Sequence, residues 1–283
     1  MAERHTDRLV TAVVSAERRR KIVAQNFDIR TTASYPSLRA RVVIITGGAS
    51  GIGEAIVEMF AMQNSRVVFL DIQDAAADLL IRKIEAAGFR PPTYLHTDLS
   101  DVASIRTSVA DILKQFDTVD VLVNNAGNDS RHAIEEVTSD YWDELMAINL
   151  KHQFFMAQSV IPCMKEAGRG SIINMSSISW AIPSTHLPVY VTAKAAIVGL
   201  TRTLAHELGA HNIRVNCVMP GAIQTPRQER LWFTENYKNE ILARQALKRM
   251  IMPDEVARLI LFLASEDSSA ITNQSLVIDG GWI

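Results

Sequence analysis

Seven short apolar runs rich in β-branched residues, each divided from the next by a stretch with room for a helix, constrain this chain of 283 residues more than any other feature. Residues 41–45 read as a buried strand and 51–62 as a helix, then 66–70 as a strand and 74–87 as a helix. Further strands are predicted at 92–96, 119–123, 171–175, 213–218 and 276–278. Further helices are predicted at 101–116, 140–150, 152–167, 190–210 and 253–265. Strands that are apolar along their length are buried on both faces, so a parallel sheet must be covered by helices on both sides. The expectation is one α/β domain over residues 38–283, a Rossmann-like doubly wound parallel sheet. Ligands of such sheets bind outside the carboxyl ends of the strands. The residues that follow each strand therefore carry the functional reading.

The first strand runs into Thr46-Gly47-Gly48-Ala49-Ser50-Gly51-Ile52-Gly53. Glycines at 47, 51 and 53 permit a tight turn and a close backbone approach to a pyrophosphate. The helix opening near Gly51 offers unpaired N–H groups and a positive dipole end. A glycine-rich loop alone says little; its place between a strand and a helix is what the mechanism requires. The second strand ends at Asp71. A carboxylate there accepts hydrogen bonds from the adenosine ribose of NAD and repels the 2′-phosphate of NADP. Two unit charges ~4 Å apart interact by about 4 kcal/mol at an effective dielectric of about 20. Neither Ser50 nor Ile72 and Gln73 supply a cation to offset this, so NAD is the expected cofactor.

Tyr190-Val191-Thr192-Ala193-Lys194 puts a phenol and an ammonium four residues apart, on one helix face. The spacing gains meaning from its neighbours. Ser177 follows the strand at 171–175, and Asn124-Asn125-Ala126-Gly127 follows the strand at 119–123, so both fall at the ligand edge.

Together these residues resemble the short-chain dehydrogenase/reductase family over about 38–283. The resemblance rests on the loop at 46–53, Asp71, Asp98-Leu99, the N-N-A-G segment at 124–127, Asn149, Ser177, Tyr190, Lys194 and Pro220-Gly221 followed by Thr225. It implies that Tyr190 is the general base in oxidation and that Lys194 lowers its pKa and holds the nicotinamide ribose. Ser177 would hydrogen-bond the reacting hydroxyl, and Asn149 would support a water relay to Lys194. Ile223 and Thr225 would hold the carboxamide, and Asp98 and Leu99 would line the adenine pocket. The cofactor-binding set expected from loop and resemblance together is Gly47, Ser50, Gly51, Ile52, Gly53, Asp71, Ile72, Asp98, Leu99, Asn125, Ala126, Gly127, Tyr190, Lys194, Pro220, Gly221, Ile223 and Thr225. A free tyrosine titrates near ~10, and lowering it to ~7 takes roughly 4 kcal/mol, within the reach of nearby positive charge.

Finer stretches look like bacterial NAD-dependent aldose 1-dehydrogenases. They are Tyr35-Pro36-Ser37-Leu38, residues 124–132, Tyr141-Trp142-Asp143-Glu144, Ser177-Ile178-Ser179-Trp180, Thr225-Pro226-Arg227-Gln228 and Asp279-Gly280-Gly281-Trp282. The resemblance implies oxidation of D-xylose, D-galactose or L-arabinose at the anomeric carbon to an aldonolactone. Asn128, Asp129, Arg131 and Gln224 are candidate partners of sugar hydroxyls, beside Ser177 and Tyr190, and Trp180 is a candidate apolar platform. The competing readings are an Asp129–Arg131 structural ion pair and a core or interface role for Trp180. His132 reads as structural. Another substrate within the same chemistry is the alternative: a sugar acid, a steroid or a 3-oxoacyl ketone. A non-catalytic NAD-binding regulatory protein is the minor alternative, and it would be expected to lack Tyr190 or Lys194.

A net charge of -2 gives no basic face for nucleic acid. No run approaches the ~20 apolar residues of a membrane span. The two cysteines, Cys163 and Cys217, show no metal spacing and suit a reducing compartment, so no metal and a cytoplasmic location are expected. The leader-like Leu9–Ala16 stretch is interrupted by Glu17-Arg18-Arg19-Arg20-Lys21, so residues 1–37 read as an extension, weakly helical or disordered. The resemblance implies a homotetramer, its contacts drawn from small and apolar positions of the helices at 152–167 (Ala157, Val160, Ile161) and 190–210 (Ala195, Ala196, Val198, Gly199, Leu200). A mobile lid is expected over 224–245.

Overall fold

The structure is a computed structural model, and it describes residues 33–283. The leader-like stretch and most of the N-terminal extension lie outside the described residues.

Seven parallel strands form one sheet: β1 (Val42–Thr46), β2 (Arg66–Asp71), β3 (Thr93–His96), β4 (Val121–Asn124), β5 (Gly170–Met175), β6 (Ile213–Pro220) and β7 (Ser275–Ile278). Their order is β3-β2-β1-β4-β5-β6-β7. The chain starts at the centre, winds outward through β2 and β3, then crosses back to β4. The reversal between β1 and β4 is the topological switch point, where such sheets open a crevice. The register pairs Ile44 with Val68 on one side and with Leu122 on the other.

Among the described residues nine α-helices connect the strands: α1 (Gly51–Met62), α2 (Asp74–Ala86), α3 (Val102–Phe116), α4 (Ser139–Met146), α5 (His152–Ala167), α6 (Pro188–Leu208), α7 (Pro226–Leu231), α8 (Glu235–Arg244) and α9 (Pro253–Ala264). All five residues of β1 are buried. Val43 and Ile45 face one core layer with Ile56, Phe60 and Ile260; Ile44 faces the other with Ile105, Met156 and Val160. Each such aliphatic side chain contributes about 1.5–3 kcal/mol when fully buried. This two-sided burial is why β1 shows no polar alternation.

Local signals set the helix ends. Asp101 caps α3, accepting from the N–H groups of Ala103 and Ser104. α6 opens at Pro188, two residues before Tyr190, because proline suits a first helical turn. The predicted helix at 140–150 is instead α4 followed by a π-helical turn at Ala147–Lys151, which places Asn149. Residues 224–245 hold two short helices, α7 and α8, capped by Thr225 and Thr234. Among the small residues expected at subunit contacts, Ala157 and Val160 pack inside the core, whereas Ala195, Ala196 and Gly199 face outward. No helix among the described residues is long and apolar enough to cross a membrane.

Candidate active site

The carboxyl ends of β1 and β4 meet at Thr46. Its hydroxyl accepts from the N–H groups of Asn125 (2.9 Å) and Ala126 (3.1 Å). The Asn125 amide donates to the carbonyls of Thr46 and Gly47, at 3.0 Å each. Gly47 has φ +65, and a Cβ there would lie 2.8 Å from the Ala126 Cα. A Cβ on Gly53 would lie 1.8 Å from the Gly47 carbonyl oxygen, so only glycine lets the first turn of α1 pack on the loop. Ser50 stands at the N-cap of α1 without a side-chain capping bond, leaving the first-turn N–H groups open to an anion. Ile52 lies in that turn and is half-buried. Gly51 approaches Thr225 across the crevice. The cradle fits the pyrophosphate of a dinucleotide.

Asp71, at the end of β2, is buried. Its carboxylate accepts from the main-chain N–H groups of Ala49 (2.9 Å), Ile72 (2.8 Å) and Gln73 (3.1 Å). The Gln73 amide bridges Asp71 Oδ1 and Ser50 Oγ at 3.2 Å each. Among the described residues no cation forms an ion pair with Asp71. Asp98 accepts from the N–H and hydroxyl of Ser100, which hold its carboxyl below the usual range. Leu99 packs into the core, and Ile72 is exposed.

Lys194 is almost wholly buried, and its ammonium donates to the Met175 carbonyl at 2.9 Å, with Nζ 5.4 Å from the Tyr190 ring centre. The Ser177 hydroxyl faces the Tyr190 phenol and accepts from the Ser179 N–H at 3.1 Å. Asn149 is fully buried. Its amide donates to the carbonyls of Asn128 and Leu145, and its Oδ1 accepts from the Asn128 N–H. Asn149 thus locks the loop after β4 to the π-helical turn, a distortion frequent at functional sites. Gly127 lies against both: a Cβ there would be 3.1 Å from Asn149 Oδ1 and 3.3 Å from Lys194 Nζ.

The electrostatics of the pair depart from the expectation. Burial raises the Tyr190 pKa above the ordinary tyrosine value, and the Asp129 charge adds to the rise, while the Ser177 hydrogen bond opposes it. Burial pulls Lys194 down to about 8, against the raising influence of Cys217 and Asp129. Burial sets the raised phenol, and the Lys194 ammonium is directed at the Met175 carbonyl.

The expected substrate residues divide. Asp129 pairs with Arg227 at the start of α7 (3.3 Å) and accepts from the Gln228 amide (2.7 Å), in place of the alternative pairing with Arg131. Asn128 accepts from Arg227 as well, at 3.1 Å. The Arg131 guanidinium stacks on Trp232 (4.4 Å) and Tyr237 (5.4 Å). Gln224 donates to Glu229 at 2.8 Å, and Trp180 is exposed. His132 meets Tyr141 edge-on at 4.1 Å, a packing role. Pro220 ends β6, and the Gly221 N–H donates to Ile278; Ile223 is core. The sequence reading missed Arg227 and Gln228 as partners of Asn128 and Asp129 in the loop after β4. Their local signals were the Thr225 N-cap and their place in the Thr225-Pro226-Arg227-Gln228 stretch.

Comparisons with known proteins agree with this arrangement. Residues 47–283 match the family model described as enoyl-(acyl carrier protein) reductase, a short-chain dehydrogenase model. The chain is 46% identical over 250 residues to a probable galactose dehydrogenase, GalD, of Rhizobium meliloti, covering 88% of this chain and 98% of that one. It is 47% identical over 252 residues to D-xylose 1-dehydrogenase of Caulobacter vibrioides, covering 89% and 99%. A solved structure from Sinorhizobium meliloti, provisionally described as a short-chain alcohol dehydrogenase, superposes with a TM-score of 0.82 at 28% identity, covering 87% and 98%. Strand order, glycine cradle and these relatives lead to one conclusion: the chain belongs to the short-chain dehydrogenase/reductase family, oxidoreductases that act on CH–OH groups with a nicotinamide dinucleotide.

Proposed function

We propose that this chain oxidises an aldose at its anomeric carbon with NAD, releasing the aldonolactone, with Tyr190 as general base. The observation that carries the reading is the assembly of Tyr190, Ser177 and Lys194 beside the glycine cradle, in a chain whose relatives are named for galactose and D-xylose. Gly47, Ser50, Gly51, Ile52 and Gly53 would hold the pyrophosphate, Asp71 the adenosine ribose, and Asn125, Ala126 and Gly127 the inner wall. Asp98, Leu99 and Ile72 would flank the adenine, and Pro220, Gly221, Ile223 and Thr225 the carboxamide. NAD bound there supplies the acceptor for the hydride leaving the anomeric carbon.

The side chains do the rest. Ser177 holds the anomeric hydroxyl against Tyr190, and the Tyr190 phenolate takes its proton and becomes the phenol. Lys194 holds the nicotinamide ribose and, by turning its ammonium from Met175 toward Tyr190, stabilises the phenolate. Asn149 fixes the loop over which the proton leaves. Asn128, Asp129, Arg131 and Gln224 bind sugar hydroxyls directly or through the α7–α8 segment, and Trp180 borders the sugar. The exposed face of α6 at Ala195, Ala196 and Gly199 supports a homotetramer, and two free thiols support a cytoplasmic location. The test is an absorbance assay of NADH formation over a panel of aldoses, sugar acids, steroids and 3-hydroxyacyl thioesters. D-xylose, D-galactose or L-arabinose is expected to give the highest kcat/KM; no rate with any aldose would refute the sugar reading.

A further inference from the structure

Beneath the site runs a ladder of buried amides that none of the assigned roles uses. Thr201 on α6 accepts from Asn174 on β5 at 3.0 Å, and Asn174 accepts from Asn124 on β4 at 2.9 Å. The Asn124 amide also donates to the main-chain carbonyl of Gln153 on α5, at 3.3 Å. The Gln153 side chain closes the ladder by donating Nε2–H to the Met175 carbonyl at 3.2 Å. That oxygen is the one that receives the Lys194 ammonium at 2.9 Å. Asn124, Gln153 and Asn174 are fully buried. The Ser176 hydroxyl fixes the backbone of α6 by donating to the Lys194 carbonyl at 2.6 Å.

We infer that Gln153 is a positioning residue for Lys194, its amide sharing the Met175 carbonyl so that the ammonium is aimed but not locked. The inference rests on the role proposed above for Lys194, whose ammonium turns from Met175 toward Tyr190 to stabilise the phenolate.

Stability does not account for the amide. Gln153 Oε1 and Asn124 Oδ1 are buried without a hydrogen-bond partner among the described residues. An apolar side chain of the same shape avoids that desolvation penalty. What Gln153 adds is its second donor on Met175. A carbonyl oxygen shared by two donors holds each less strongly, so the ammonium can leave it for the phenol side. Tyr190 faces Lys194 from its own helix, His152 from α5, Cys217 from β6 and Asp129 from the loop after β4. Burial and the Lys194 charge push His152 down to about 3, and burial pushes Cys217 up to about 11, so neither of these two carries a charge at neutral pH.

The test compares the unaltered protein with Gln153→Met and Gln153→Leu, which keep the volume and remove the donor. NMR titration of the Lys194 ammonium without cofactor, assigned by its loss in Lys194→Met, is expected to show a higher pKa in both variants. Met175 then becomes the ammonium's undivided acceptor. Turnover is expected to fall on the order of tenfold with the sugar KM little changed, and the pH profile of kcat to move with the titration. A Gln153 that only supports the fold would lower Tm and leave titration and profile in place, and that result overturns the inference. If Lys194→Met keeps its turnover, the reading of Lys194 fails on its own account. If Lys194→Met is inactive while both Gln153 variants titrate normally, this inference alone fails.

Discussion

Replacing Asp71 with alanine tests whether this carboxylate excludes the 2′-phosphate of NADP, as proposed. The carboxylate is buried and unopposed by any ion-paired cation among the described residues, and it gathers three main-chain N–H groups, from Ala49, Ile72 and Gln73. With Asp71 present, a 2′-phosphate ~4 Å away meets a repulsion between about 1 kcal/mol per charge pair in full water screening and about 4 kcal/mol at a surface-like dielectric. With Asp71→Ala the repulsion disappears, and the same three N–H groups face an anion as a small nest. NAD loses its ribose acceptor at the same time, a charge-assisted bond worth about 1.5–3 kcal/mol. The two effects add in the ratio of kcat/KM for NAD over NADP, which should fall by roughly 10²–10⁵. Initial rates with both cofactors at one sugar concentration measure it. A change of less than about threefold would show that Asp71 does not set cofactor choice.

Three further outcomes follow from distances and charges at the site. Gly127→Ala places a methyl 3.1 Å from Asn149 Oδ1 and 3.3 Å from Lys194 Nζ, so kcat should drop by at least about tenfold while Tm moves little, checked by steady-state rates beside calorimetry. Lys194 falls from its ordinary 10.5 to about 8 on folding, so holding its charge inside costs roughly 3 kcal/mol below pH about 8. Between about 8 and 10.5 the unfolded chain binds the extra proton, so stability rises with pH and the cost fades. Lys194→Met should therefore be inactive yet more stable to urea at neutral pH, with an advantage that shrinks as pH rises through that window. The Asp129 charge raises Tyr190, so Asp129→Asn should move the acidic limb of the kcat/KM profile to lower pH; an unmoved or higher limb would contradict the electrostatic reading.

What could be read from the chain follows from the range of the interactions. β1 is apolar because both its faces are covered, and α1 begins and ends where the glycine cradle and the periodicity put it. Tyr190, Ser177 and Lys194 were legible because a helix spacing and a strand end are local facts. The α7–α8 segment was read only as a lid, because its helices are short, polar and poorly amphipathic, with Thr225 and Thr234 as their signals. The partnership of Asp129 with Arg227 joins residues 98 apart in sequence and leaves no local trace. The raised phenol was hidden for a different reason: it follows from burial, which a four-residue spacing does not report, nor does that spacing say that the ammonium points at Met175. His152 and Gln153 begin α5 as polar residues inside the core, against the rule that helical polar positions face water.

The anomeric carbon as the hydride donor is the central claim, and labelled substrate tests it directly. The best aldose of the panel, carrying deuterium at C1, is oxidised under single-turnover conditions and the reduced cofactor is weighed by mass spectrometry. The account predicts one deuterium in the reduced nicotinamide and a slower rate than with unlabelled sugar. Unlabelled reduced cofactor would place the oxidation at another carbon and contradict it.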